Sequence, residues 1–214
     1  MDFKIFQKDY IQYLKNAYLI IHNNKEYITD LDSKTGDGDH WVNINMGFKK
    51  LMDMSEELEK LSFEEMFKKI GMTMMSGIGG SSGILYGGAY LSASKVVSGK
   101  EFIDKNTMKD IFYAQLTSMM DRGKCKPGDK TMIDPLYMAY NELSKNIDND
   151  NLVETLVLTK QKAQEGTEAT KYMKAVKGRA SYQVNKGVGH LDPGAVTMLY
   201  QIEELINMII NTLQ

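Results

Sequence analysis

Apolar residues recur at spacings of three and four along nearly the whole chain, and that period leaves room for little but helices. Phe3, Phe6, Tyr10, Tyr13, Leu14, Ala17 and Ile21 form the first set, and Ile44, Phe48, Leu51, Met52, Ser55 and Leu58 the second. Phe63, Met66, Phe67, Ile70 and Met74 follow a Ser62–Glu65 pair with capping-box spacing. Met108, Ile111, Phe112, Gln115 and Met119 continue the pattern, as do Ile133, Leu136, Tyr140 and Leu143. Val196, Leu199, Ile202, Leu205, Ile209 and Leu213 close it. Only three prolines interrupt the chain, and no alternating stretch of useful length predicts a strand. The expectation is an all-α bundle, read as one domain over residues 1–214.

The breaks in the period carry the information. Gly-rich or polar junctions fall at 30–41, 76–83, 121–131 and 177–194. In an up-and-down bundle alternate loops share one end, so several of these junctions can meet at one site.

Bulk chemistry removes several functions. The 26 basic and 28 acidic residues are spread along the chain, with no basic block of the kind nucleic acid requires. No run approaches the ~18 apolar residues of a membrane span, and the first residues, Met1–Ile5, are amphipathic rather than signal-like. Cys125 is the sole cysteine, so an internal disulfide is excluded and a reducing cytoplasm is the simplest location. Sixteen methionines read as adaptable core filler.

The first junction sets Asp30, Asp32, Asp37 and Asp39 within ten residues, with Gly36 and Gly38 between them. Crowded carboxylates need water or a cation to relieve their repulsion, and hard oxygen ligands suit Mg²⁺. Such a loop taken singly is more often a solvated acidic turn. An EF-hand is excluded because Lys34, Thr35 and Trp41 occupy its fifth, sixth and twelfth positions.

The second junction, Gly79-Gly80-Ser81-Ser82-Gly83, opens a helix with free N–H groups and two hydroxyls, as a phosphate cradle does. It serves equally well as a small-residue turn between close helices. The third, Gly123 to Thr131, imitates a phosphate-binding P-loop but carries Asp129 between glycine and lysine, and a helix rather than a strand precedes it. In the fourth, Arg179 offers a planar fork for phosphate, while Asp192 and Pro193 give an ordinary helix start. Surface arginine and simple capping are the plainer readings of these two.

Taken in order, the segments resemble the nucleotide-binding L subunit of bacterial dihydroxyacetone kinases. The resemblance runs from Tyr27 to the end through Leu31-Asp32, Gly36-Asp37-Gly38-Asp39-His40 with Asn43, Gly79 to Gly83, and Arg122-Gly123-Lys124. It continues through Pro127 to Met132, Lys177 to Tyr182, Gly189-His190 and Asp192-Pro193-Gly194. The resemblance implies an up-and-down barrel of about eight antiparallel helices with ADP or ATP at one end. It implies that Asp32, Asp37 and Asp39 hold Mg²⁺, and that His40, Asn43, Ser81 and Ser82 meet the phosphates. Gly123 and Met132 would line the adenine pocket, with Arg179, Asp192, Pro193 and Gly194 completing the site. No side chain is expected to act as a covalent or acid–base catalyst, because positioning and charge neutralisation carry phosphoryl transfer.

The resemblance further implies two partners: a K-type subunit that holds a small hydroxyketone, and a phosphotransferase-system phosphocarrier that rephosphorylates ADP in place. Whether two copies of the chain pair as a homodimer is open. Trp41 stands where the family usually has glycine, and Ile84 where proline commonly follows the Gly-Ser-Ser-Gly loop; both fall at the expected phosphate end. The alternative function is an ADP-loaded, non-catalytic regulator of a transcription factor or partner enzyme.

Overall fold

The helix starts written in the sequence are the ones the chain uses. In a computed structural model that describes residues 2–213, Ser62 Oγ accepts the Glu65 amide at 3.3 Å and the Glu65 carboxylate accepts the Ser62 amide at 3.2 Å. Asp104 caps the Thr107 amide and Asn151 the Glu154 amide in the same manner. Pro193 opens the last helix, Pro135 lies in the first turn of its helix and Pro127 lies in a loop, so no helix interior loses a hydrogen bond to proline.

Ten α-helices result among the described residues: α1 (Gln7–Asn23), α2 (Lys25–Thr35), α3 (His40–Asp53), α4 (Ser55–Glu59), α5 (Phe63–Gly77), α6 (Gly80–Val96), α7 (Lys105–Gly123), α8 (Ile133–Asn146), α9 (Leu152–Ala169) and α10 (Pro193–Leu213). Eight of them run 14 to 21 residues. These eight pack in a closed ring, in the order α1, α3, α5, α6, α7, α8, α9, α10 and back to α1. The ring is the expected all-α antiparallel barrel, and its eight staves are the eight long helices. Helices α2 and α4 are short inserts between staves.

Two local expectations are corrected. Phe3 to Ile21 is not one helix: Ile5 forms an isolated antiparallel bridge with Ile103 and α1 begins at Gln7. Phe3 and Ile5 are nevertheless buried, which explains why they mimic the helical period. The 30–41 junction is half helix, since nothing breaks the backbone before Gly36 and Lys34 neutralises Asp30 one turn earlier.

Tyrosines fill much of the barrel interior. Tyr10 and Tyr90 hydroxyls meet at 3.3 Å, and Gln201 Nε2 donates to the Tyr86 hydroxyl at 2.8 Å. These polar tips are paired, so the core pays no penalty for unsatisfied groups. Staves α3, α6, α8 and α10 start at the end of the barrel where α2, α5, α7 and α9 finish. The four junctions noted in the sequence therefore lie at one end.

Candidate nucleotide and metal cleft

That end holds a cleft of about 410 Å³, within the range of small-molecule sites. Asp32, Thr35, Asp37, Asp39, His40 and Asn43 line it from the α2–α3 turn. Ser81 and Ser82 line it from the first turn of α6, and Gly123 and Met132 from the loop between α7 and α8. Arg179, Asp192, Pro193 and Gly194 close it from the segment leading into α10. All thirteen residues singled out from the sequence thus border one cavity.

The acidic corner is built by the end of α2. Asp32 lies on the helix, buried, and its Oδ2 accepts the His40 amide at 2.9 Å. Its other oxygen sits so close to Gly36 that a Cβ there would fall 2.5 Å from it, so the turn needs glycine. Gly38, at φ +77°, then reverses the chain in a conformation that side chains resist. Asp37 and Asp39 follow on the exposed side, and one oxygen from each of the three carboxylates lies within 4.8 Å of the others. Three carboxylates gathered at that distance are hard oxygen donors of the kind Mg²⁺ takes, with water and phosphate filling its other positions. A hard divalent cation therefore fits this donor set.

Around that corner the electrostatics are mixed. Arg179 Nη2 is 2.7 Å from Asp37 Oδ2 across the mouth of the cleft. Burial holds the His40 imidazole below its usual pKa, and its Nε2 shares a 2.9 Å hydrogen bond with the Thr197 hydroxyl on α10. Helix α6 directs the amides of its first turn, beside Ser81 and Ser82, towards the cleft, where partial positive charge favours an anion. Asp192 caps α10 by accepting the Ala195 amide at 2.7 Å. Burial of its carboxyl raises the pKa to about 7 despite that hydrogen bond.

The two departures from the family pattern behave differently. Trp41 does not border the cleft: its indole N–H donates to the Ile21 carbonyl at 2.9 Å, and the ring packs on the core beside the end of α1. Ile84 does border it and is 52% exposed, at the rim. Among residues the sequence did not single out, Leu85, Cys125 and Ile133 add an apolar wall, and Lys130 contributes a buried ammonium. A left-handed Lys130 (φ +63°) has no signature in a linear motif.

An eight-helix barrel with a carboxylate cluster and a helix N-terminus facing one terminal cleft places the chain among all-α folds with a polar site at one end. The chain belongs to the DAK2-domain family, whose model matches residues 34–207. It is 38% identical over 191 residues to the ADP-binding subunit DhaL of PEP-dependent dihydroxyacetone kinase 1 from Listeria innocua, covering 89% of this chain and 91% of that one. The corresponding Escherichia coli ADP-binding subunit is 30% identical over 91% of this chain and 93% of its own. The fold matches a crystal structure of the dihydroxyacetone kinase from C. freundii in complex with AMP-PNP and Mg²⁺ at a TM-score of 0.72 and 22% identity. This chain covers 33% of the length of that kinase and aligns over 92% of its own.

Proposed function

We propose that the chain, as one domain over residues 1–214, is the nucleotide-binding subunit of a multi-subunit dihydroxyacetone-type kinase. It holds Mg-ADP or Mg-ATP in the terminal cleft, and phosphoryl passes from bound ATP to a small hydroxyketone on a partner K subunit. A phosphotransferase-system phosphocarrier restores the ATP in place. The observation that carries this reading is the meeting of three carboxylates, the α6 N-terminus and an apolar wall in one cavity. The names of relatives aligned along nine-tenths of their length support it.

Each group has a separate task in this reading. Asp32, Asp37 and Asp39 hold Mg²⁺, which screens the phosphate charge from the carboxylates. The first turn of α6, with Ser81 and Ser82, donates to phosphate oxygens, and Arg179 turns from Asp37 to the phosphates. Leu85, Gly123, Met132 and Ile133 offer a surface for the base. None of these residues positions an acceptor hydroxyl in line with a phosphate, so proximity must come from a second protein.

Calorimetry tests the first half: ADP binds in Mg²⁺ and loses its affinity in EDTA, and equal affinity in both would overturn the reading. Mixing tests the second half. The chain with Mg-ATP and dihydroxyacetone yields no product above background, while added K subunit yields one turnover and added phosphocarrier makes it continuous. Steady turnover by the chain alone would overturn the two-part scheme.

A further inference from the structure

Between α9 and α10 the segment 171–190 crosses the cleft as a strap and carries Arg179 to Asp37. Little apolar burial holds it down. Tyr172, Val176, Tyr182 and Val184 are 56–106% exposed, and Ala175 and Ala180 are its only buried hydrophobic residues. A segment so poor in buried contacts belongs to the low-stability part of a fold unless polar bonds fix it.

Along its length Val176 N–H donates to the Asp129 carbonyl at 3.2 Å and Gln183 Nε2 to the Lys34 carbonyl at 3.0 Å, while the bonds that join its two feet converge on one side chain. Lys130, 1% exposed, donates from Nζ to the carbonyl oxygens of both Thr170 and His190, the residues at the two feet of the strap. Thr170 caps the C-terminus of α9, its carbonyl also accepts the Met173 amide at 3.2 Å, and a cation at this helix end is favoured by the dipole. Asp192 N–H donates to Thr170 Oγ1 at 3.1 Å, and Gly189 N–H donates to the Lys171 carbonyl at 2.8 Å, closing the same base. A buried ammonium is costly unless its donors are satisfied, and here the two carbonyls take two of its three N–H groups. Near its second foot the strap passes over the lysine stem: a Cβ on Gly187 would lie 3.0 Å from Lys130 Cε.

We infer that Lys130 is a positioning residue: its ammonium pins the two feet of the 171–190 strap together and thereby holds Arg179 over the acidic corner. Lys130 borders the cleft, but its ammonium is engaged by the feet of the strap, so it acts through the strap. The fastening is independent of what the cleft binds, whereas its effect on ligand retention rests on the nucleotide reading above.

Amide hydrogen exchange on the full-length chain without ligand tests the fastening. In Lys130→Met, exchange in 171–190 accelerates at least tenfold while α5 and α6 keep their protection and the circular dichroism is unchanged. Unchanged exchange in the strap would overturn the inference, and so would acceleration spread evenly over the barrel, which would make Lys130 a general stability residue. Where Lys130→Met yields no folded protein, Lys130→Gln, whose shorter side chain cannot reach both carbonyls, must give the same confined acceleration. Unchanged strap exchange in that variant would likewise overturn it. Mg-ADP affinity then supplies a cycle with Arg179→Ala: Lys130→Met weakens binding in the parent and adds nothing once Arg179 is gone. Full additivity would show that Lys130 does not act through Arg179. Absence of any Mg-ADP affinity in the parent would count against the nucleotide reading and leave the exchange result to decide the fastening.

Discussion

Arg179 Nη2 lies 2.7 Å from Asp37 Oδ2, so the cation of the strap occupies one member of the carboxylate cluster. The side chains are 65% and 38% exposed, which makes this a surface pair worth ~0–1 kcal/mol. A ligand that gives each partner a better bond separates them at small cost.

Opposite effects on metal and nucleotide follow for Arg179→Ala. Free Mn²⁺, as a spectroscopic stand-in for Mg²⁺, binds the metal-only protein up to ~5-fold more tightly once the competing guanidinium is removed. Mg-ADP binds more weakly, because a donor to phosphate is lost. Asp37→Ala weakens both and leaves helical content intact, since the residue lies in the turn beyond α2. Paramagnetic titration and calorimetry read the two affinities; weakened Mn²⁺ binding in Arg179→Ala would show that the pair does not compete with metal.

Cys125 reports on the apolar side of the cleft. The thiol is half-buried and lines the cavity, and burial pushes its pKa up, so alkylation by iodoacetamide is slow. Saturating Mg-ADP slows it by about tenfold or more if the base lies against Leu85 and Met132, and EDTA restores the original rate. Mass spectrometry of the alkylated peptide measures this directly. A rate indifferent to nucleotide would move the base elsewhere in the cleft.

Asp192 gives the metal-free protein a pH dependence of definite sign. Its folded pKa of about 7 lies above the ordinary 3.8 because burial disfavours the charged carboxylate. Such a group contributes stability that is complete below about 4 and is lost as pH rises through about 7. Stability therefore falls between about pH 4 and 7 and levels off above, by at most ~1.4 kcal/mol per pH unit for one proton, which lowers the melting temperature by ~3–5 °C per unit. Asp192→Asn keeps an acceptor for the Ala195 amide and flattens that slope. Asp134, also raised chiefly by burial, leaves a remainder of the same sign. Equal slopes in parent and variant, followed by thermal melts, would show that Asp192 is charged throughout.

The staves of the barrel were legible because their core positions repeat within each helix, and the junctions because glycine and charge interrupt that repeat. Closure of the ring was not legible from periodicity, since the α1–α10 contact joins the two ends of the chain. Asp30 and Asp32 read alike in the acidic stretch, yet α2 turns one to Lys34 and the other to the cleft. Trp41 looked like an obstruction at the phosphate end, but the Ile21 carbonyl draws its indole away. Lys130 sat in a segment legible as a failed P-loop and as part of the family pattern, but its partners lie 40 and 60 residues further on.

The Ile5–Ile103 bridge fixes the beginning of α1 beside the turn that follows α6, a helix that starts in the cleft and runs ~25 Å away from it. Helix α10 likewise starts at the cleft and travels ~30 Å before Leu213. Both ends of the described chain thus leave the molecule on the side opposite the acidic corner. A tether attached there, whether a purification handle, an immobilising surface or a fused second protein, leaves the mouth unobstructed, so surface-coupled binding measurements can be made with the cleft facing solution.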